Sequence, residues 1–97
     1  MIVGIVGSIK VRTEKTADFE RIFRELTAKV RSNEPGNLVY QLARVRGASG
    51  KYKMIELYRD QAAYDQHAQA PYLGESLAQL MACLDGEPQV ELIESVD

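Results

Sequence analysis

The 97-residue sequence contains no tryptophan, one cysteine and one histidine, and it lacks a long apolar run. A single cysteine, Cys83, excludes an internal disulfide and is typical of a reducing compartment. One histidine and one cysteine, far apart in the chain, do not supply a usual zinc or haem ligand set, so we expect no bound metal. Without an apolar stretch of membrane-spanning length or a signal-peptide pattern, we expect a cytoplasmic protein with no membrane partner.

Basic and acidic residues are nearly balanced, with 12 of the first kind, 14 of the second and a net charge of −2. These charges are dispersed along the chain, whereas proteins that bind nucleic acids concentrate basic residues on one face. We therefore expect no nucleic-acid partner. The length is that of one domain with a single hydrophobic core, spanning residues 1–97.

The opening stretch MIVGIVGSIKV has two glycines, Gly4 and Gly7, inside an apolar run. A dinucleotide-binding turn needs G-x-G-x-x-G between a strand and a helix, and only G-x-x-G is present. Alternation continues through Ile9 and Val11, which predicts a strand over residues 2–11. Because glycine weakens a strand, its presence indicates that another group approaches the backbone closely.

Periodicity divides the rest of the chain into helices and strands. The predicted elements are a helix with an apolar stripe from Phe19 to Val30, strands near 38–45 and 52–58, a helical region from Asp60 to Leu84 broken at Pro71, and a strand near 90–96. The order strand, helix, strand, strand, helix, strand predicts a ferredoxin-like α+β fold with the helices on one face of the sheet.

The other face of this predicted sheet is rich in apolar residues. Because side chains alternate between the two faces along each strand, we expect this face to carry Val6, Val39, Val45, Met54 and Tyr58. A lone monomer seldom leaves so much apolar surface in water. The pattern therefore predicts a homodimer that packs sheet against sheet.

His67 is the single side chain whose unperturbed pKa lies near neutrality. Its spacing from Ala63 and Tyr64 predicts that it lies on the inward side of the second helical segment. Two interpretations stay open at this point. His67 is either a core-edge histidine that is hydrogen-bonded to a neighbour, or a general base at the rim of a pocket.

Several tyrosines are expected close to this histidine, at the junction of the helices and the sheet. They are Tyr40, Tyr58, Tyr64 and Tyr72. Tyrosine suits an aromatic ligand that carries hydroxyl or carbonyl groups; packing explains any single tyrosine better, and only their grouping around His67 favours a ligand. Arg44 and Glu56 lie on strands and either contact a ligand or form a cross-strand ion pair.

A resemblance to a known family lies in two stretches, EPGNLVYQLAR (34–44) and IELYRDQAAYDQHAQAPYL (55–73). They resemble the antibiotic biosynthesis monooxygenase domain, which is marked by E-P-G before a Y-x-L strand, an E-x-[W/Y]-x-[D/S] strand end, and a histidine before a small-Pro-aromatic break. The resemblance implies a dimeric α+β barrel. It also implies a family that includes cofactor-independent oxygenases of quinols and anthrone-like polyketides, haem-degrading enzymes and an isomerase of a phosphorylated signal molecule.

Position by position, the resemblance matches His67 to the family's helix histidine and Glu56 to its strand glutamate. Tyr58 stands where many members have tryptophan. The haem-degrading branch is similar only in part, because its axial histidine aligns with Leu77 and its first-strand asparagine aligns with Gly7. We therefore expect no haem. Gly7 is expected to leave space for a substrate, or alternatively to accommodate helix packing.

The function that the resemblance implies is cofactor-independent monooxygenation of a quinol or anthrone-like hydroxylated aromatic by O2. A base that deprotonates such a compound forms an anion able to give an electron to dioxygen, and His67 is the candidate base. The candidate substrate-binding residues are Tyr40, Tyr58, Tyr72, Glu56, Arg44 and Gly7. Two alternatives remain, namely an isomerase that uses the same base with Arg44 or Lys53 as a phosphate site, and a ligand-binding dimer without turnover.

Overall fold

Four strands form one antiparallel sheet in the computed structural model, which describes residues 1–97. The strands are β1 (Val3–Lys10), β2 (Asn37–Arg44), β3 (Lys51–Tyr58) and β4 (Gln89–Glu94). Their order in the sheet is β2-β3-β1-β4, and β1 pairs with both β3 and β4. The predicted ferredoxin-like α+β arrangement is confirmed.

Three α-helices pack together with the sheet, namely α1 (Thr16–Asn33), α2 (Gln61–Ala68) and α3 (Leu73–Met81). Helix α1 contacts β2, α2 contacts β1 and β3, and α3 packs mainly on α1. The Asp60 carboxylate caps α2 by accepting a hydrogen bond of 2.8 Å from the Ala63 N–H. Pro71 lies in the predicted break between α2 and α3. No helix combines the length and the apolarity needed to cross a bilayer.

The core forms between α1 and the sheet. The buried residues of α1 are the predicted stripe Phe19, Ile22, Phe23, Leu26 and Val30. Each is worth roughly 1.5–3 kcal/mol when it is buried. Two sheet tyrosines pack against this stripe, with ring centroids 5.1 Å apart for Phe19 and Tyr52 and 5.5 Å apart for Phe23 and Tyr40.

Strand pairing determines which residues share a face of the sheet. On the helix-facing side, one row of paired residues is Tyr40, Glu56, Ile5 and Leu92, and the next row is Leu42, Met54, Gly7 and Val90. The prediction that Met54 and Tyr58 lie on the open face is wrong, because Met54 packs against the core and Tyr58 is fully buried. They share the parity of Glu56, a charged residue that belongs to the buried side of β3.

The open face carries the apolar residues of the opposite parity. Val6 and Val39 lie there as predicted, and Ile55, Leu57 and Ile93 complete the set on β3 and β4. Ile55 and Ile93 are exposed, and the other three are partly buried. Apolar side chains therefore run across the middle of this face.

Of the two glycines in β1, Gly4 is the one at which a neighbouring backbone comes closest. A Cβ at this position would lie 2.2 Å from the Glu56 carbonyl oxygen and 2.7 Å from Leu57 Cδ2. No side chain fits into such a gap without moving the backbone. The close approach that the glycines predict is thus confirmed here, and the approaching group is the neighbouring strand.

Candidate functional site

A buried polar cluster surrounds His67 near the end of α2. His67, Glu34 and Glu56 are each no more than 6% exposed. The His67 Nδ1 atom lies 2.9 Å from Glu34 Oε1 and 3.0 Å from Glu34 Oε2, which is hydrogen-bonding distance. The Nε2 atom lies 3.6 Å from Glu56 Oε1, which is beyond it. The imidazole ring thus lies between two carboxyl groups and is hydrogen-bonded to one of them.

The three candidate tyrosines all meet at this cluster. The Tyr58 hydroxyl donates a hydrogen bond of 2.7 Å to Glu56 Oε1, and the Tyr72 hydroxyl donates one to Glu34 Oε2. The rings of Tyr40 and Tyr58 lie 5.6 and 5.1 Å from the His67 ring, centroid to centroid. Each carboxyl group around the histidine therefore has its own tyrosine hydroxyl as a donor.

Glu34 reaches the histidine because of the turn that ends α1. Its N–H donates to the Val30 carbonyl at 2.9 Å, and its own carbonyl accepts from the Asn37 N–H at 3.0 Å. The next turn residue, Gly36, packs directly on α2, since a Cβ there would lie 2.5 Å from the Ala63 Cβ. The E-P-G motif therefore ends helix α1 and also places Glu34 next to α2.

Burial and charge act on the ionisable groups of the cluster. Burial raises the pKa of Glu56, and the nearby Glu34 charge adds to this, while the Tyr58 hydrogen bond opposes it. The pKa values of Tyr40 and Tyr58 are raised well above the usual range, first by burial and then by the Glu56 charge. Burial and the bond to Glu34 raise the pKa of Tyr72. The tyrosines are therefore neutral hydrogen-bond donors rather than bases.

An uncovered apolar region borders the cluster on the helix-facing side of β1 and β4. Val90 and Leu92 are 57% and 76% exposed because no helix of the chain covers them. Within the row that contains Glu56, only Ile5 separates Glu56 from Leu92. A cleft of about 200 Å³ between α2 and the strand ends also reaches Leu92. We call this region, defined by Ile5, Gly7, Val90 and Leu92, the β4 trough.

Gly7 lies within this trough but does not create open space by itself. A Cβ there would lie 3.3 Å from Val90 Cγ1 and 3.4 Å from Met54 Cε, and the third nearest atom is the Gln89 carbonyl oxygen. The three nearest atoms thus all belong to neighbouring strands, none to a helix. Space for a substrate beside Gly7 stays a prediction.

Arg44 is placed apart from the cluster. Its Nε and Nη2 atoms donate to the two carboxylate oxygens of Glu20 at 2.9 and 2.5 Å, and the Tyr52 hydroxyl donates to Glu20 at 2.6 Å. These bonds lower the pKa of Glu20 to about 2. Arg44 and Glu56 do not form a cross-strand pair, because Arg44 lies opposite Tyr52 in the sheet.

The second candidate cation, Lys53, is likewise separate from the histidine. It donates a hydrogen bond of 2.6 Å to Ser8 and belongs to the open-face parity of β3. No group of three or more His, Cys, Asp or Glu side chains is placed to hold a metal ion. Of the predicted site residues, the structure brings His67, Glu56 and the three tyrosines together. The residue that sequence reasoning missed is Glu34.

Known proteins resemble this chain in both sequence and structure. The sequence model described as antibiotic biosynthesis monooxygenase matches residues 2–79. A solved structure from Caulobacter crescentus CB15, described as a putative antibiotic biosynthesis monooxygenase, is 38% identical. It superposes with a TM-score of 0.93 over 99% of this chain and 91% of that chain.

More distant similarity extends to a solved oxygenase. SnoaB from Streptomyces nogalater, described as a cofactor-independent oxygenase, is 22% identical, with a TM-score of 0.82 over 99% of this chain and 94% of that chain. At this identity the similarity shows the fold alone. The uncharacterized protein sll1783 of Synechocystis sp. is 31% identical over 73 residues, which are 75% of this chain and 49% of the relative. The chain thus spans about half the length of that curated relative.

Proposed function

The chain belongs to the antibiotic biosynthesis monooxygenase family, and on this premise we propose that it is a cofactor-independent monooxygenase of a small hydroxylated aromatic compound. The observation that carries the proposal is the orientation of His67. A carboxylate only accepts hydrogen bonds, so the Nδ1 atom that contacts Glu34 carries the proton of the neutral ring. The lone pair is then on Nε2, which is the atom available as a base.

The proposed first step is transfer of a substrate hydroxyl proton to His67 Nε2. The imidazolium that forms would lie between Glu34 and Glu56, with Nδ1 still donating to Glu34. Acid–base catalysis of this kind is typically worth ~10²–10⁴-fold in rate. In this scheme Glu34 is a positioning residue and His67 is the catalytic residue.

The substrate anion then reacts with dioxygen. It gives one electron to O2, the two radicals combine, and water is lost: in an anthrone a CH2 group and O2 become a C=O group and H2O, and a quinol and O2 become a hydroxyquinone and H2O. The protein contributes the base, the orientation of the ring and exclusion of water. Quinols and anthrone-like compounds suit this scheme because their anions are electron-rich.

The β4 trough is the proposed substrate position. Neighbouring strands are ~4.8 Å apart, so a ring lying over Ile5 would be one strand from Glu56. Tyr40 and Tyr58 would hold the aromatic system from the side of His67, and Gly7 would limit crowding at the base of the trough. Arg44 is left out of this proposal because Glu20 holds its guanidinium group.

A second copy of the chain is proposed to cover the open face of the sheet. The apolar set on that face supports a homodimer because water would otherwise contact it. We expect analytical ultracentrifugation to show a dimer at micromolar concentration and Ile55→Lys to shift it to monomer. Leu38→Lys is the control, since Leu38 is exposed outside that set. A wild-type monomer would contradict the dimer.

Oxygen consumption with a panel of quinols and anthrones tests the enzymatic proposal. His67→Ala should lower the rate by ~10²-fold or more, and labelled dioxygen should place one labelled atom in the product. Asp65→Ala, at an exposed position of the same helix, is the control and should keep the wild-type rate. Unchanged uptake in His67→Ala, or turnover without oxygen consumption, would reject the mechanism.

A further inference from the structure

A cleft between α1 and β2 concentrates positive charge in a chain whose net charge is negative. It has a volume of about 330 Å³ and is lined by Arg24, Arg31 and Arg44 together with one carboxylate, Glu20. The local formal charge is therefore +2, whereas that of the whole chain is −2. Such a reversal of charge in a concave surface attracts small anions.

The single carboxylate of the cleft is already occupied. Glu20 accepts two hydrogen bonds from Arg44 and one from Tyr52. Arg24 only approaches it, with Nη2 3.9 Å from Glu20 Oε1. Arg31 forms no ion pair. Two guanidinium groups of the cleft thus retain donors for an external oxyanion.

The spacing of Arg24 and Arg31 along α1 is comparable to the length of a small ligand. Arg24 and Arg31 are seven residues apart, which is two turns and about 10.5 Å of helix. The stacked rings of Phe23 and Tyr40, 5.5 Å apart, form part of the wall of the cleft but are only 3% exposed, so the partly buried Thr27 and Leu42 provide more of its accessible apolar surface. The cleft therefore combines cationic side chains with a small apolar surface.

We propose that this cleft is a binding site for a small organic oxyanion, a compound that bears a carboxylate or a phosphate group. Arginine binds both groups through paired N–H donors, and Thr27 and Leu42 provide a small area for apolar contact. The volume falls at the lower end of the range of small-molecule sites, ~300–1,000 Å³. The arginines of this site are not part of the His67 cluster, although Tyr40 borders both, and the proposal does not depend on the oxygenase activity.

An NMR titration of the isotopically labelled protein tests the proposal. The probes are benzoate, phenyl phosphate and neutral benzyl alcohol, and the amide signals are recorded as each is added. We expect the two anions to shift amide signals of residues 24–31 and 40–44, and benzyl alcohol to bind at least about tenfold more weakly. Whichever anion binds more tightly identifies the preferred oxyanion. Higher salt should weaken both anions.

Variants of single arginines make the test specific. Arg24→Gln and Arg31→Gln should each weaken anion binding by about tenfold or more, because each removes a charged hydrogen-bond donor. Arg21→Gln, on the same helix but outside the cleft, should leave binding unchanged, and the dispersion of the spectra checks folding of each variant. Equal weakening by Arg21→Gln, shifts confined to other residues, or equal binding of benzyl alcohol would overturn the proposal.

Discussion

Replacing Glu34 by glutamine should change which ring nitrogen of His67 carries the proton. The wild-type carboxylate accepts from both Tyr72 and Nδ1, so Nδ1 is protonated in the neutral ring. A glutamine has one acceptor oxygen and one donor NH2 group. If the oxygen keeps the Tyr72 hydrogen bond, the NH2 group faces Nδ1, which must then accept. The proton consequently moves to Nε2.

The size of the effect follows from the distances on the two sides of the ring. The Glu34 contact is 2.9 Å, whereas the Glu56 contact at 3.6 Å is too long for a competing hydrogen bond. A hydrogen bond to a charged group is worth ~1.5–3 kcal/mol, so the wild-type tautomer should be favoured by about 10-fold to 100-fold or more. More than about nine-tenths of the neutral rings should therefore be protonated at Nδ1.

Side-chain nitrogen NMR measures the tautomer directly, at a pH where the ring is neutral. The chain has one histidine, so a single pair of ring signals appears and no assignment is needed. Tyr72→Phe is the control, since it keeps the carboxylate and should keep the proton on Nδ1. A wild-type ring with its proton on Nε2 would refute the proposed base, because that atom would have no lone pair.

Three further predictions concern stability. Gly4→Ala should lower stability by ~3 kcal/mol, which lowers Tm by ~12–24 °C in thermal denaturation, whereas Gly7→Ala should stay within ~1 kcal/mol of wild type; equal Tm values would contradict the contact distances. Glu20→Gln should cost about 1 kcal/mol near neutral pH, since the Arg44 partner is 74% exposed and screened, and the cost should vanish as pH falls from the ordinary glutamate pKa of 4.5 towards about 2; a difference that persists in acid would exclude the ion pair as its cause. Burial raises the pKa of Glu56, so the stability of the wild-type protein should fall as pH rises above 4.5. Denaturant titrations should show a smaller fall in Glu56→Gln. If the two proteins lose stability in parallel, the burial of the Glu56 charge is not the cause.

The order of elements was predictable because it depends on local patterns. The stripe from Phe19 to Val30 and the Asp60 cap both act within a few residues, and both have the predicted positions. The two faces of β3 were harder to predict, because Ile55 and Leu57 lie on one face of the strand and Met54 and Glu56 on the other. Both sides of this strand carry apolar residues, so alternation alone does not indicate which side is buried.

The candidate site was predictable only in part for a similar reason. A buried Glu56 is tolerated because Tyr58 and His67 surround it, and the histidine is distant in the chain. Glu34 lies 33 residues from His67, in a motif that also signals the end of a helix. Local periodicity carries no information on such a pairing. Likewise, the partner of Arg44 is on α1 rather than on the facing strand, since helix packing decides it.

The turn at the end of α1 makes this part of the chain intolerant of changes in length. One inserted residue between Glu34 and Asn37 would advance the backbone by up to ~3.8 Å, more than the whole hydrogen bond between the carboxylate and the ring. By contrast, the β2–β3 hairpin can grow around Gly47, which is exposed and lies in a turn outside both strands. In descendants of this chain, insertions should therefore accumulate in the hairpin and be purged from the turn.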